Sequence, residues 1–333
     1  MTSHAFSGKE PNSFPPHANQ ANHNASEPPE NLPPSYMSLQ PQFQTREFIF
    51  RLAGGRFKAF PSEKSMEIYE NAKRLLNSSK SNPDFVRAKE YQNLSIGLPL
   101  LISRRSSSIG VYLKLLDCEP TPHKPDNLYC RNDAREVARV HRMRFRRYHQ
   151  YVIPLENEEI VVFLHLRSDI ADFKIGDQRF RFLKALSKSE RPHTKAPLFY
   201  NIYLLDPHQP SLVDNMDSSL RVHKNNPLLE ISNRKKVGGI SCFAEREAYT
   251  SSCQYGYLEG CRVSHRNKKC ATLGLIDEGS GNRDSNDSVD FKSFVFVVVS
   301  HILQNHEQDL ERSRASRSAN ISNNSMMTSS AMC

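Results

Sequence analysis

The chain has 333 residues, of which 38 % are hydrophobic, with 20 prolines, 13 glycines, no tryptophan and a formal net charge of +9. An apolar fraction that low predicts a folded core with unfolded flanks, and the positive balance selects an anionic partner: a phospholipid surface, a nucleic acid or an acidic protein. No run of about eighteen apolar residues occurs and the N-terminus has no apolar signal segment, so the sequence predicts no transmembrane segment and an intracellular protein, cytoplasmic, nuclear or peripheral at membranes. Its 7 cysteines are widely and irregularly spaced, which excludes a disulfide framework and agrees with a reducing compartment.

Residues 1–44 are rich in Pro, Asn, Ser, Gln and His and almost free of aliphatic side chains before Leu32. They bury too little apolar area to offset ordering entropy and are expected to form a disordered tail. Within it, Pro33-Pro34-Ser35-Tyr36 matches the PPxY peptide bound by WW domains. Such a peptide enters polyproline II unaided, so its prolines stack in an aromatic groove at little entropic cost while the tyrosine fills a neighbouring pocket. Pro33, Pro34 and Tyr36 are therefore the candidate partner-binding residues. WW domains of this specificity often belong to HECT-type ubiquitin ligases, which the likeness names as the reader. Against this stands the plain reading that a Pro-rich tail sometimes sets a tyrosine after a proline pair.

Residues 45–311 read as one globular domain. In REFIFRLAGGRFKAF the side chains of Phe48, Phe50 and Leu52 share a face, Gly54-Gly55 turns the chain and Phe57 returns, which is a hairpin pattern. The pattern recurs in DFKIGDQRFRFL, with Phe173 and Ile175 before Gly176-Asp177 and Phe180 and Phe182 after it. Further strands are expected at 160–166, 198–205, 228–231, 237–244 and 270–275. Ser62 to Asn77 has Met66, Tyr69, Ala72, Leu75 and Leu76 near helical spacing and predicts a helix. Near the C-terminus, Phe294 to Val299 reads as a strand buried on both faces, passing into a helix through Ile302, Leu303 and Leu310. The polar stretch 312–333 resembles residues 1–44 in composition and is expected to be a second disordered tail.

Three stretches suggest sites. In SRRSSSIG, Arg104 and Arg105 precede a serine run, and basophilic kinases grip arginines two and three residues ahead of the target hydroxyl with carboxylates, so Ser107 is the first candidate phosphorylation site and Ser108 the next; the alternative is an exposed polar loop. ARVHRMRFRRYHQY is the most basic stretch. As a strand it would set Arg142, Arg144 and Arg146 on one face as an anion-binding stripe and Met143 and Phe145 on the other, over a core; as a helix the stripe would disperse. CRVSHRNKKC offers Cys261, His265 and Cys270 to zinc, with Cys253 or Cys242 as a fourth ligand, but lacks any paired C-x₂₋₄-C, so buried structural cysteines are expected and no metal or other cofactor is assigned.

No P-loop, dinucleotide fingerprint, nucleophile elbow or H-E-x-x-H is present, and a lone histidine such as His165 reads as a core residue. The fold expected is mainly β with a few helices (α+β), an antiparallel sheet or barrel-like domain. A β domain closed by an apolar C-terminal segment resembles the tubby and scramblase type of barrel, which such a segment threads; this likeness is architectural and implies no function. The function expected is that of a non-enzymatic intracellular adaptor whose PPxY tail recruits a WW-domain protein. The alternative is a basic regulatory protein associated with nucleic acid or phospholipid.

Overall fold

In the computed structural model the described residues are 45–53, 56–75, 97–118, 134–156, 158–166, 169–185, 198–216, 219–231, 254–260, 269–276 and 289–329, with isolated positions between 83 and 90. Their strands are β1 (Thr45–Ala53), β2 (Arg56–Phe60), β3 (Leu101–Arg105), β4 (Val111–Cys118), β5 (Ala134–Arg144), β6 (Tyr148–Pro154), β7 (Glu159–His165), β8 (Ile170–Ile175), β9 (Gln178–Lys184), β10 (Leu198–Leu204), β11 (Gln254–Gly260) and β12 (Lys269–Ile276). Each pairs antiparallel with its neighbours in sequence, and β12 pairs with β1, closing a barrel. Closure leaves no edge strand for another chain to extend.

The two hairpins read from the sequence are present. Leu52 faces Phe57 across β1 and β2, and Ile175 faces Gln178 across β8 and β9, where Gly176 takes a φ of 55° that a side-chain-bearing residue adopts only with strain. Alternation then sorts each strand between lumen and outside. Phe48 and Phe50 join the central core while Ile49, between them, packs outward with Phe60, Met66 and Tyr69. Helix α1 (Glu63–Leu75) supplies that outer cover, as its helical spacing predicted. On the opposite wall, Val161, Phe163, Ile170 and Leu183 face outward beneath residues 212–229. There Arg181 meets Asp172 in a buried bidentate pair, with Nε–Oδ1 of 2.6 Å and Nη2–Oδ2 of 2.7 Å, and Asp172 also accepts from Ser211 Oγ and Leu212 N, both at 2.9 Å. That carboxylate thus accepts four hydrogen bonds, one on Oδ1 and three on Oδ2, which is what makes a buried ion pair tolerable.

Two segments expected as strands are helical. Leu228 to Ile231 lies in the short helix α2 (Pro227–Ile231), because Pro227 occupies its first position and Asn226 caps it, accepting from Leu228 N at 3.0 Å. Phe294 to Val299 lies in α3 (Phe291–Ser329), started by Asp290, whose carboxylate accepts from Ser293 N at 2.7 Å and Ser293 Oγ at 2.8 Å. The β-branched run misleads because α3 fills the barrel lumen and touches wall on every side: Val295, Phe296, Val297, Val298 and Val299 are at most 1 % exposed. A helix apolar all round shows no amphipathic period, and burial on every side outweighs the modest helix propensity of valine. Phe296 sits among Phe173, Phe180, Phe182 and Tyr255 at ring-centroid distances of 5.0–6.2 Å. The barrel-like domain threaded by its C-terminal segment is therefore present, with a helix as the thread. That helix also runs past residue 312, where composition suggests a tail, and is exposed from Glu311 to Ser316. No helix of the described residues is long and apolar enough to cross a membrane.

A candidate anion site at the barrel mouth

Beyond Val299, α3 changes character. Ser300, His301, Gln304, Asn305 and His306 are all buried and polar, and the wall around them is polar in register. His301 Nδ1 and Ser103 Oγ share a hydrogen bond of 3.0 Å, His306 Nδ1 and Tyr151 Oη one of 3.3 Å, and Glu307 accepts from Lys184 at 2.7 Å and Tyr200 at 2.9 Å. His301, Asn305 and Asp309 recur every fourth residue and so share one helix face; that face meets β3 and β4. Arg105 at the end of β3 donates to Asn305 O at 3.0 Å and pairs with Asp309. Tyr112 Oη donates to the other Asp309 oxygen at 3.1 Å, which Arg142 also approaches at 3.5 Å.

Tyr112 reaches this position through an irregularity in β4, where Val111 faces His141 but Leu113 faces Val140 on β5. The extra residue of such a bulge lets adjacent side chains both turn inward, and Tyr112 and Leu113 both join the core. The Arg142 guanidinium lies 4.2 Å from the Tyr112 ring centroid, a cation–π contact that flattens it against the wall. Burial, with the nearby Tyr151 and Asp309, holds the Tyr112 hydroxyl well above the usual phenol range, so it remains a donor.

These groups line a cavity of about 640 Å³ that includes Arg105, Arg142, Arg144, Arg312, Ser108 and His149. Among the described residues that line it are four arginines and a single carboxylate, Asp309. Arg105 and Arg142 are tied to it, whereas no ion pair to Arg144 or Arg312 is found among the described residues. His149 and His306 stand with ring centroids 5.4 Å apart. Burial first, then the neighbouring His306, Arg142 and Arg144, push His149 down to about 4, so it is neutral at neutral pH. The cavity is thus a cationic, donor-rich recess.

The expected arginine stripe is corrected in two respects. Residues 134–144 form a strand, and Arg142 and Arg144 do share a face, but it is the lumen face: it continues the inward row of Ala138 and Val140 to the rim, where the lumen opens to solvent. Met143, expected over a core, is on the outside and 39 % exposed. Arg146 lies beyond the end of β5, exposed and outside the cavity, while Phe145 stacks on Tyr148 at 4.6 Å. Ser107 and Ser108 are exposed in the turn between β3 and β4, but only Ser108 faces the cavity, and Arg105 is engaged with α3 instead of standing in a free loop. Cys270 is buried and donates to Gln304 at 3.5 Å; Cys242, Cys253, Cys261 and His265 lie outside the described residues. Among the described residues no His, Cys, Asp and Glu group is arranged to hold a metal. His165 is buried in the barrel wall. Pro33, Pro34 and Tyr36 also lie outside the described residues, as does the strand expected at 237–244.

Sequence reasoning missed Asp309, Tyr112, His149 and His306; Arg312 stood out only as part of a second basic serine stretch with Arg314 and Arg317. The signal was the four-residue recurrence of polar side chains in HILQNHEQD, which is legible only once that stretch is taken as the continuation of the apolar helix before it.

No curated protein and no solved structure matches the chain. A sequence model of one family, described as DIA1, matches residues 48–312, a span that runs from β1 through Arg312 and so takes in the barrel, the part of α3 that fills it and every cavity residue named along α3. The chain belongs to the DIA1 family.

Proposed function

We propose that the protein is a non-enzymatic adaptor whose barrel mouth binds a compact phosphate-bearing ligand and whose PPxY segment recruits a WW-domain protein, with a HECT-type ubiquitin ligase as the reader. One observation carries the first half: four arginines converge on one recess with a single carboxylate among them. Guanidinium groups match phosphate oxygens in geometry and stay charged at any physiological pH. Size favours a small ligand. A recess of about 640 Å³ is of the order that holds one small molecule, whereas a duplex nucleic acid requires a broad surface of about 1,000 Å² or more. A phospholipid head group and a soluble phosphorylated metabolite share the chemistry required. The second half rests on Pro33, Pro34 and Tyr36, and the reading implies action in the cytoplasm, in the nucleus or peripherally at membranes.

The test is calorimetric titration of inorganic pyrophosphate into the full chain and into Arg144→Gln. Arg144 is chosen because it holds no ion pair among the described residues, so its loss removes charge without disturbing the contacts of α3. A drop of about tenfold in affinity is expected, equal to about 1.4 kcal/mol. Equal affinity for both proteins would overturn the site. For the tail, full chain carrying Tyr36→Ala should lose capture of WW domains, and retained capture would remove the PPxY reading.

A further inference from the structure

We propose that Ser108 is a phosphorylation site whose phosphate folds back into the arginine recess, making the turn between β3 and β4 a built-in competitor for the ligand. This rests on the recess being an anion site. Ser106 and Ser108 line the recess and Ser107 does not, the alternation expected when a chain leaves a strand still extended. The turn is held in that pose by its own bonds: Ser108 N donates to Ser106 Oγ at 3.1 Å, Val111 N to Ser108 O at 3.3 Å and Arg142 N to Gly110 O at 3.4 Å. Gly110, with φ of 79° and open space where a Cβ would stand, permits the sharp return into β4. The last of those bonds fixes the serine turn to the very strand that presents Arg142 and Arg144.

Ser108 is also exposed to solvent, as is the side chain of Ile109 beside it, so a kinase has access to the hydroxyl. Arg104, exposed on β3, stays available to the kinase's acidic groove while Arg105 is held by Asn305 and Asp309. In the transfer the Ser108 oxygen bonds to the γ-phosphorus of a nucleoside triphosphate, the bond from that phosphorus to the β-phosphate oxygen breaks, the diphosphate leaves and the hydroxyl proton passes to the kinase's base. The product carries about −1.5 to −2 charge on a side chain that lines the same recess as Arg144 and Arg312, neither of which has an ion-pair partner among the described residues. A tethered phosphate competes at an effective concentration in the millimolar range or above, so occupancy in cis needs only modest intrinsic affinity.

The experiment uses full-length protein with phosphoserine installed at position 108, the same with phosphoserine at 107, and the unmodified chain. Each is titrated with inorganic pyrophosphate and recorded by ³¹P NMR across pH. Phosphoserine at 108 should weaken pyrophosphate binding by about tenfold or more, and its second ionisation should fall below the ordinary value of about 6, returning toward it in Arg144→Gln; phosphoserine at 107 should do neither. If the unmodified chain binds pyrophosphate and the form phosphorylated at 108 binds it equally well, self-occupancy is wrong and the site stands. Equal effects at 107 and 108 would likewise overturn it, by showing general repulsion. If the unmodified chain binds no pyrophosphate, the site itself fails and the competitor with it.

Discussion

Asp309→Asn separates the two jobs that Asp309 performs. Its carboxylate joins Arg105, Arg142 and Tyr112 to the central helix, and its side chain is only 28 % exposed. Asparagine keeps the shape and one acceptor oxygen but removes the charge. Two partly exposed ion pairs lost together should cost about 1–2 kcal/mol of folding stability, read as a lower urea midpoint. The same change removes the one negative charge facing an incoming phosphate. At a separation of about 6 Å and an effective dielectric of about 40–80, that repulsion is about 1 kcal/mol for each unit of charge on the ligand, so multiply charged pyrophosphate should bind at least about fivefold more tightly. Stability and affinity must therefore move in opposite directions. The assay is urea unfolding paired with calorimetric titration on one preparation. A variant that loses both would refute the reasoning, because it would mean that the carboxylate sets the arginine geometry and that its charge is immaterial to the ligand.

Val298→Asp places an unpaired carboxylate at a position with no exposure, amid the apolar turns of α3; soluble expression should be abolished, and a folded variant would show that the lumen admits water. Burial pushes His301 down to about 3 and, helped by neighbouring positive charges, His149 to about 4, from 6.5 for both. Because the unfolded chain then binds protons that the folded one refuses, stability should be complete above about pH 6.5 and fall as pH drops toward about 4, with a shallower fall in His301→Gln. Equal slopes in the two proteins would rule out His301 as a contributor. Asp290→Ala removes the cap of α3 and should cost about 1–2 kcal/mol; an unchanged urea midpoint would show that packing in the lumen alone starts the helix.

The strands were legible where one face meets solvent or a thin cover, because alternation then survives in the sequence. REFIFRLAGGRFKAF and DFKIGDQRFRFL each gave up both strands, and the second its turn at Gly176-Asp177, with Phe48, Phe50, Phe173, Phe180 and Phe182 all in the lumen. Legibility failed where burial erased the period. Phe294 to Val299 is surrounded, so a helix there has no polar side to announce it, and its valines then favour the wrong element. α2 failed differently: a five-residue helix carries too little periodicity to read, and its only sequence signal was capping chemistry, Asn226 before Pro227. The site was half legible. Arg142 and Arg144 stood out by charge, but their direction did not, since alternation pairs residues on a face without saying which face is the lumen. Asp309 and Tyr112 depend on a helix and a bulged strand far apart in sequence, and no local pattern joins them.

A barrel filled by its own C-terminal helix explains why the recess lies where it does. The wall strands need inward apolar residues only as far as the apolar turns of α3 reach; above them, the wall and the helix must satisfy one another's polar groups, as Ser103 with His301 and Tyr200 with Glu307 do. At the rim that reciprocity becomes unequal. α3 offers one carboxylate, Asp309, to Arg105 and Arg142 and then adds a guanidinium of its own, Arg312, beside Arg144. A fold selected for stability alone would balance these charges, since unpaired arginines brought together repel and lower stability. The excess where the lumen opens is therefore a cost in stability that a bound anion should remove, and the protein should be measurably harder to unfold in pyrophosphate than in chloride of equal ionic strength. Binding to the native state alone at 100 times Kd adds about 2.7 kcal/mol. Arg144→Gln, binding about tenfold more weakly, should lose about half of that gain while unfolding no more readily than the parent in chloride, a combination that a purely structural role for Arg144 cannot give.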